Sequence, residues 1–265
     1  MSLQFATIAS GSSGNCVFIG SEHTKILIDA GLSGKCIEAG LNAIGCQGSD
    51  IDALFLTHEH DDHIKGAGIF SRRFGTPIYA TCGTWNGGEY KMGKIKPYLK
   101  NVISGGESLV INDLCVKAFD IPHDANEPVG YNIMTDKYKV SVATDIGHVT
   151  KTVMDGIAES NVLLLESNHD VDMLKNGPYP EPLKRRIYGE KGHLSNDTAG
   201  KLLACSMCGS LSHVRLGHLS LENNTEELAF ETVKAILERY KIKVGTYLDV
   251  AVAARSRVSE VIELN

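Results

Sequence analysis

No apolar run in these 265 residues approaches the roughly 20 that a membrane-spanning helix needs, which argues against an integral membrane protein. The opening stretch MSLQFATIAS has neither a basic n-region nor a long apolar segment, so it does not read as a secretory signal. Low-complexity segments and long Pro/Gly linkers are absent too, and a single domain over residues 1–265 is expected. Cysteine is not arranged for disulfides: Cys16, Cys36, Cys46, Cys82, Cys115, Cys205 and Cys208 are odd in number and scattered. That excludes a disulfide-stapled secreted scaffold and fits free thiols in a reducing compartment, so a cytoplasmic protein is expected. Cys205 and Cys208 form a lone C-x-x-C pair, a weak zinc signal, and the flanking LLACSMCGSL reads as a buried helix end. Net positive charge is also missing. The formal charge of −6 argues against a broad nucleic-acid-binding surface.

What is present is an apolar fraction of 43%, enough to bury a sizeable core. FATIA (5–9), CVFIG (16–20) and KILIDAG (25–31) read as strands between Gly/Ser turns, and GKCIEAGLNAIG (34–45) as a helix. DALFLTH (52–58) is a buried strand, and HIKGAGIFSRRFG (63–75) has helical spacing ending on glycine. Strands resume with PIYAT, SLVI, LCVKAFDIPH, VGYNIMT and KVSVATD, followed by a helix near 150–159 and the strand NVLLLES (161–167). NDTAGKLLACSM is a helix, HVRLGHLS a strand entering a loop, and NTEELAFETVKAILERYK a long amphipathic helix. Strands come before helices in each half. The expected architecture is a four-layer αββα sandwich, two mixed sheets face to face with helices outside.

The segment THEHDDH (57–63) carries the chemistry. His58, His60, Asp61, Asp62 and His63 crowd into six residues directly after the buried run ALFL. Packing gives no reason to collect imidazoles there, whereas imidazole and carboxylate are the ligands that zinc, manganese and iron share. A tight loop after a strand lets His58 and His60 point to one spot, and Asp62 and His63 to its neighbour.

This H-x-H-x-D-H pattern resembles the signature of the metallo-β-lactamase superfamily. The likeness extends along the chain: Asp29 in KILIDAG matches an early strand-end aspartate that supports the metal loop, and His123 in IPHDA the next histidine. Asp145 in VATDIG matches a bridging aspartate, and His218 in LGHLS the last histidine. The resemblance implies two divalent cations, zinc or manganese with iron also fitting. His58, His60 and His123 would hold one, Asp62, His63 and His218 the other, and Asp145 would bridge. Such a pair about 3.5–4 Å apart activates a shared water as hydroxide and polarises the substrate. Asp62 would orient that hydroxide and accept its proton.

Within the superfamily, tRNase Z-like phosphodiesterases place a glutamate that orients a histidine in an H-x-S segment. Glu166 and His193 are the matching positions, and His193 would protonate the leaving oxygen. The surroundings depart from tRNase Z, because Glu166 stands in Glu-Ser-Asn-His, which makes His169 a candidate helper. The turn SGSSGNC (10–16) reads equally as a plain hairpin or as a phosphate cradle, with Ser12, Ser13 and Asn15 as candidate substrate contacts. Lys191 and Ser195, flanking His193, are further candidates. The same turn, LTHEHDDHIKG and the GHLSxENN ending resemble the YycJ/WalJ-like bacterial subfamily, described as DNA exonucleases. The 72 residues between Asp145 and His218 are too few for the inserted cap of the β-CASP nucleases.

Two basic stretches fit a nucleic-acid strand, with DNA favoured. Lys184, Arg185, Arg186 and Lys191 precede His193, while Lys91, Lys94, Lys96 and Lys100 alternate with Trp85, Tyr90 and Tyr98. The enzyme alternative is an ester or thioester hydrolase of the glyoxalase II type, which needs neither the Glu166–His193 pair nor the basic stretches. Flavodiiron-like redox proteins put a glutamate where His60 stands and use a flavin domain. A non-catalytic regulator would be expected to have lost ligands. No organic cofactor and no membrane partner are expected.

Overall fold

The structure, a computed structural model, describes residues 2–207 and 209–265. Its strands in chain order are Leu3–Ala9 (β1), Cys16–Gly20 (β2), Lys25–Ile28 (β3), Ala53–Phe55 (β4), Ile78–Ala80 (β5), Lys100–Val102 (β6) and Ser108–Ile111 (β7). Leu114–Asp120 (β8), Val129–Met134 (β9), Lys139–Ala143 (β10), Val162–Glu166 (β11), His213–Gly217 (β12), Asp249–Val252 (β13) and Ile262–Leu264 (β14) follow. They form two seven-stranded mixed sheets, one ordered β14-β1-β2-β3-β4-β5-β6 and the other built from β7 to β13.

The chain divides into two compact units. The first comprises the residues up to Asp120, with Ala125–Tyr138 and Ala254–Asn265; the second comprises Ile121–Asp124 and Lys139–Ala253. In the first unit β14, β1, β2 and β3 pair antiparallel, and β3 to β6 then run parallel. The same unit holds the antiparallel run β7–β8–β9. In the second unit β10, β11, β12 and β13 are all parallel. The sequence explains the difference. VLLLE of β11 is buried at every position, the continuous apolar run of a strand covered on both faces. LCVKAFD of β8 mixes buried and exposed positions, and SLVI of β7 alternates exposed and half-buried ones, as strands with one solvated face do.

Helices fill the crossovers, and their starts follow local capping chemistry. Ser33, Thr81, Thr150, Asp170, Ser195 and Thr225 each accept a backbone N–H of the first turn of their helix. The helix expected over 63–75 is two, Asp61–Ile64 and Ala67–Phe74, because Gly66 N–H leaves the helical ladder to donate to Ala30 O at 2.7 Å. Helix Cys82–Met92 was not foreseen. Val171–Asn176 and Glu181–Tyr188 also emerge only here. The core of the first unit gathers Phe18, Leu27, Leu54, Phe70 and Trp85 among its buried members.

One expectation needs correction. The helix Asn196–Ser206 does end where expected, but Cys205 is exposed on it; Leu202 and Leu203 take the buried face instead. Cys208 lies outside the described residues. Among the described residues no helix is long and apolar enough to cross a membrane.

Candidate active site

Across the two units five of the candidate residues stand at the C-terminal ends of parallel strands, where open α/β sheets place their ligands. Asp29 follows β3 and His58 follows β4 in the first unit. Asp145 follows β10, Glu166 ends β11 and His218 follows β12 in the second. Asp29, Asp145 and His218 adopt left-handed backbone, with φ of 61°, 60° and 55°. That conformation is uncommon for residues with side chains, and it turns the chain sharply at the strand end so that the side chain is redirected.

In the first unit Asp29 is the anchor. Its buried carboxylate accepts Thr57 N–H at 2.9 Å, Thr57 Oγ1–H at 2.9 Å and His63 Nδ1–H at 2.8 Å. Donation from Nδ1 fixes the His63 tautomer and leaves Nε2 as the lone-pair nitrogen. Nε2 lies 3.5 Å from Asp62 Oδ2. His58 Nε2 and His60 Nδ1 lie 3.0 Å apart, and the His58 and His63 ring centroids 4.1 Å. The loop is held by backbone: Asn15 N–H donates to Asp62 O and Ala30 N–H to His63 O, both at 2.8 Å. Gly31 makes this approach possible, since a Cβ there would stand 1.7 Å from Asp62 O.

In the second unit Glu166 is the anchor, fully buried. Its Oε1 accepts Nδ1–H of His193 at 2.8 Å and of His218 at 2.9 Å. Its Oε2 accepts Ile146 N–H at 2.8 Å and Leu194 N–H at 2.9 Å. Burial pushes the Glu166 carboxyl up, but the His193 charge and the hydrogen bonds from both histidines outweigh it and hold the group below the usual carboxylate range. Asp145 Oδ1 lies 3.4 Å from His218 Nδ1 and 3.7 Å from both His123 Nε2 and His193 Nδ1. His123 donates Nδ1–H to Gly192 O at 3.1 Å, again leaving Nε2 as the lone-pair nitrogen. Burial lowers the His123 pKa, with Asp145 opposing, which favours the neutral ligating form. A Cβ on Gly192 would meet Ile187 O at 2.1 Å, so only glycine lets this carbonyl reach its place. Asn168 Nδ2 donates to His218 O at 2.9 Å, and Asn224 Nδ2 to Ser167 O and Asn168 O.

The donor set tests well against divalent cations. Asp145, Glu166, His193 and His218 each offer a ligand atom within 4.8 Å of one another. In the first unit imidazole nitrogens crowd at hydrogen-bond distance beside a carboxylate. Second-partner carboxylates fix the tautomers, as metal-ligating histidines require. Hard and borderline N/O donors of this kind suit zinc, manganese and iron.

The remaining candidates fall differently. Asn15 is buried against the metal loop, with Nδ2 at 3.1 Å from His63 Nε2 and 3.3 Å from Asp62 O. Ser12 and Ser13 are exposed in the turn. Ser195 is the N-cap of helix Asn196–Ser206, accepting Thr198 N–H at 3.2 Å. Lys191 is exposed beside His193 and Arg186 pairs with Asp124. Trp85 is buried and donates Nε1–H to Asn101 O at 2.9 Å, so it is not a free stacking surface. His169 is buried beside Tyr188, ring centroids 5.3 Å apart. Sequence reasoning missed Thr57 and the second histidine of Glu166; only the position of Thr57 beside the cluster hinted at its role.

The family profile described as Metallo-beta-lactamase superfamily matches residues 9–164. The chain is 39% identical over 250 residues to Exodeoxyribonuclease YycJ of Bacillus anthracis, covering 94% of this chain and 95% of that one. It is 36% identical over 244 residues to Exodeoxyribonuclease WalJ of Streptococcus pneumoniae, covering 91% of each. The crystal structure of the metallo-β-lactamase fold protein YhfI from Bacillus subtilis superposes with a TM-score of 0.72 at 15% identity, over 99% of this chain and 100% of that one. The fold is thus the α/β sandwich expected from the sequence.

Proposed function

Because this chain belongs to the metallo-β-lactamase superfamily, we propose that it is a metal-dependent phosphodiesterase that degrades DNA from an end. The observation that carries the reading is the 2.8 Å hydrogen bond from His193 to the buried carboxylate of Glu166. An alkoxide leaving group needs a proton, and an imidazole aligned by a carboxylate is built to give one. A thiolate leaves without such help, so a thioester hydrolase would have little use for this pair. The names of the curated relatives, exodeoxyribonucleases, support the same choice.

Carried over from the family pattern, His58, His60 and His123 would hold one divalent cation, Asp62, His63 and His218 would hold a second, and Asp145 would contribute to both. The cations, when bound, supply Lewis acidity and a water nucleophile at neutral pH. The chain's own residues do the rest. Asp62 orients the attacking water and takes its proton. Asp29 and Glu166 hold His63 and His218 in the ligating tautomer. His193 keeps Nδ1–H on Glu166 and delivers a proton from Nε2 to the departing oxygen. Lys191 and the exposed Ser12 and Ser13 contact phosphate, while Asn15 and Ser195 support the loops. The relatives align over nearly the whole chain, which supports one catalytic domain, and the reading is of a cytoplasmic enzyme without an organic cofactor.

The test is to supply purified protein in turn with zinc and manganese and follow end-labelled double-stranded DNA, single-stranded DNA and RNA. Stepwise release of label from DNA, abolished in His60→Ala, is expected. Turnover of a thioester with no cleavage of any nucleic acid would sink the proposal.

A further inference from the structure

Resting on the nuclease reading, we propose that helix Cys82–Met92 and residues 93–100 form a docking surface for single-stranded DNA. Where the two segments meet, an open surface groove of about 500 Å³ is lined by Trp85, Asn86, Glu89, Tyr90, Gly93 and Lys94. Buried Ile95 and Leu99 anchor the second segment, which turns Lys94, Lys96 and Tyr98 outward. Tyr90 and Tyr98 are 78% and 71% exposed, large rings that the core does not use.

The lysines divide into two kinds. Lys91 is structural: its Nζ pairs with Asp61 at 2.8 Å and donates to Glu59 O at 3.2 Å. Lys100 is structural too, pairing with Glu89 and lying over the Trp85 ring. Lys94 and Lys96 are exposed, and among the described residues neither pairs with a carboxylate; Lys96 Nζ stands 5.6 Å from the Tyr98 ring centroid. Two cations without a carboxylate partner among the described residues, beside two exposed rings, stand out on a chain whose formal charge is −6.

The surface is coupled to the loop that carries His58, His60, Asp62 and His63. Lys91 bonds Asp61 within that loop, and Gly87 and Gly88 bring the helix against Glu59 and Ile64. The chemistry selects an unpaired strand: exposed rings stack on base faces, which a duplex hides, and lysines neutralise phosphates without reading sequence.

The experiment uses the full chain with a chelator, so that nothing is cut, and measures anisotropy of a fluorescein-labelled oligothymidylate of about 16 nucleotides, a typical single-strand site length. Tyr90→Ala/Tyr98→Ala is expected to weaken binding by about tenfold or more, with Tyr90→Phe/Tyr98→Phe restoring it and duplex affinity unchanged. Lys94→Glu/Lys96→Glu is expected to lower the slope of log affinity against log salt by about 1.4, because two phosphates are no longer neutralised. Metal-loaded turnover of bis(p-nitrophenyl) phosphate, too small to reach the groove, should be the same in every variant. Unchanged oligonucleotide affinity in both double variants, or an equal loss on duplex, overturns the proposal while leaving the nuclease reading intact. Loss of oligonucleotide binding in the variants together with a wild type that cleaves no phosphodiester would support the surface and sink the nuclease reading.

Discussion

His193 and His218 donate Nδ1–H to the same carboxylate oxygen, Glu166 Oε1, at 2.8 and 2.9 Å. One buried charge therefore sets the tautomer of a candidate metal ligand and of a candidate general acid together. The other oxygen is filled by two backbone N–H groups, so the carboxylate is fixed at four points.

Glu166→Gln tests this sharing. The amide cannot accept at all four points, because its NH₂ must face either backbone donors or an imidazole N–H. Metal affinity and turnover should both fall, each by about 10- to 100-fold. Calorimetric metal titration beside a pH–rate profile reads both. Unchanged metal affinity would leave Glu166 as a partner of His193 only.

His193→Ala should keep its metal and lose its proton. Turnover of DNA is expected to fall by about 10²- to 10⁴-fold. With bis(p-nitrophenyl) phosphate, whose leaving group departs unprotonated, the loss should be far smaller. Equal losses on both substrates would assign His193 to metal binding instead.

Gly31→Ala should damage the metal loop without touching a ligand. Its Cβ would meet the Asp62 carbonyl at 1.7 Å, and backbone cannot yield as a side-chain tip can. A loss of about 2–4 kcal/mol is expected in urea unfolding of the metal-free protein, with weaker metal retention. Gly209→Ala, where a Cβ meets nothing within 4 Å, serves as the neutral control.

His169 should impose an acid limit on stability. It is buried, among the described residues neither ring nitrogen has a hydrogen-bond partner, and burial lowers its pKa from 6.5 to about 4. Between these values the unfolded chain binds a proton that the folded one refuses, so stability falls as pH falls. The contribution is intact above 6.5 and is lost progressively toward about 4. His169→Leu should therefore reduce the stability difference between pH 7 and pH 5 by about 2 kcal/mol in chelator. An identical pH dependence in both proteins would show that His169 titrates normally.

Much of the site is legible because its residue types have no competing use. His58, His60, Asp62 and His63 after ALFL have no place in packing, and a strand running into them is a local feature. Helix Cys82–Met92 is not legible. Gly83, Gly87 and Gly88 lower its helix propensity, yet each faces a close neighbour: Glu127, Glu59 and Ile64 respectively. Trp85 likewise reads as a partner for nucleic acid until Nε1 is seen bonded to Asn101 O inside the core.

The sequence by itself determined most of the strands, the longest helix and the metal-ligand chemistry, because propensity, periodicity and donor type act over a few neighbouring residues. Only the tertiary structure decided which groups share a proton or a carbonyl. Asn15 reaches Asp62 across 47 positions, and Glu166 reaches His218 across 52. A hydrogen bond forms at about 3 Å whatever the separation along the chain, and only the folded backbone brings such atoms within that distance.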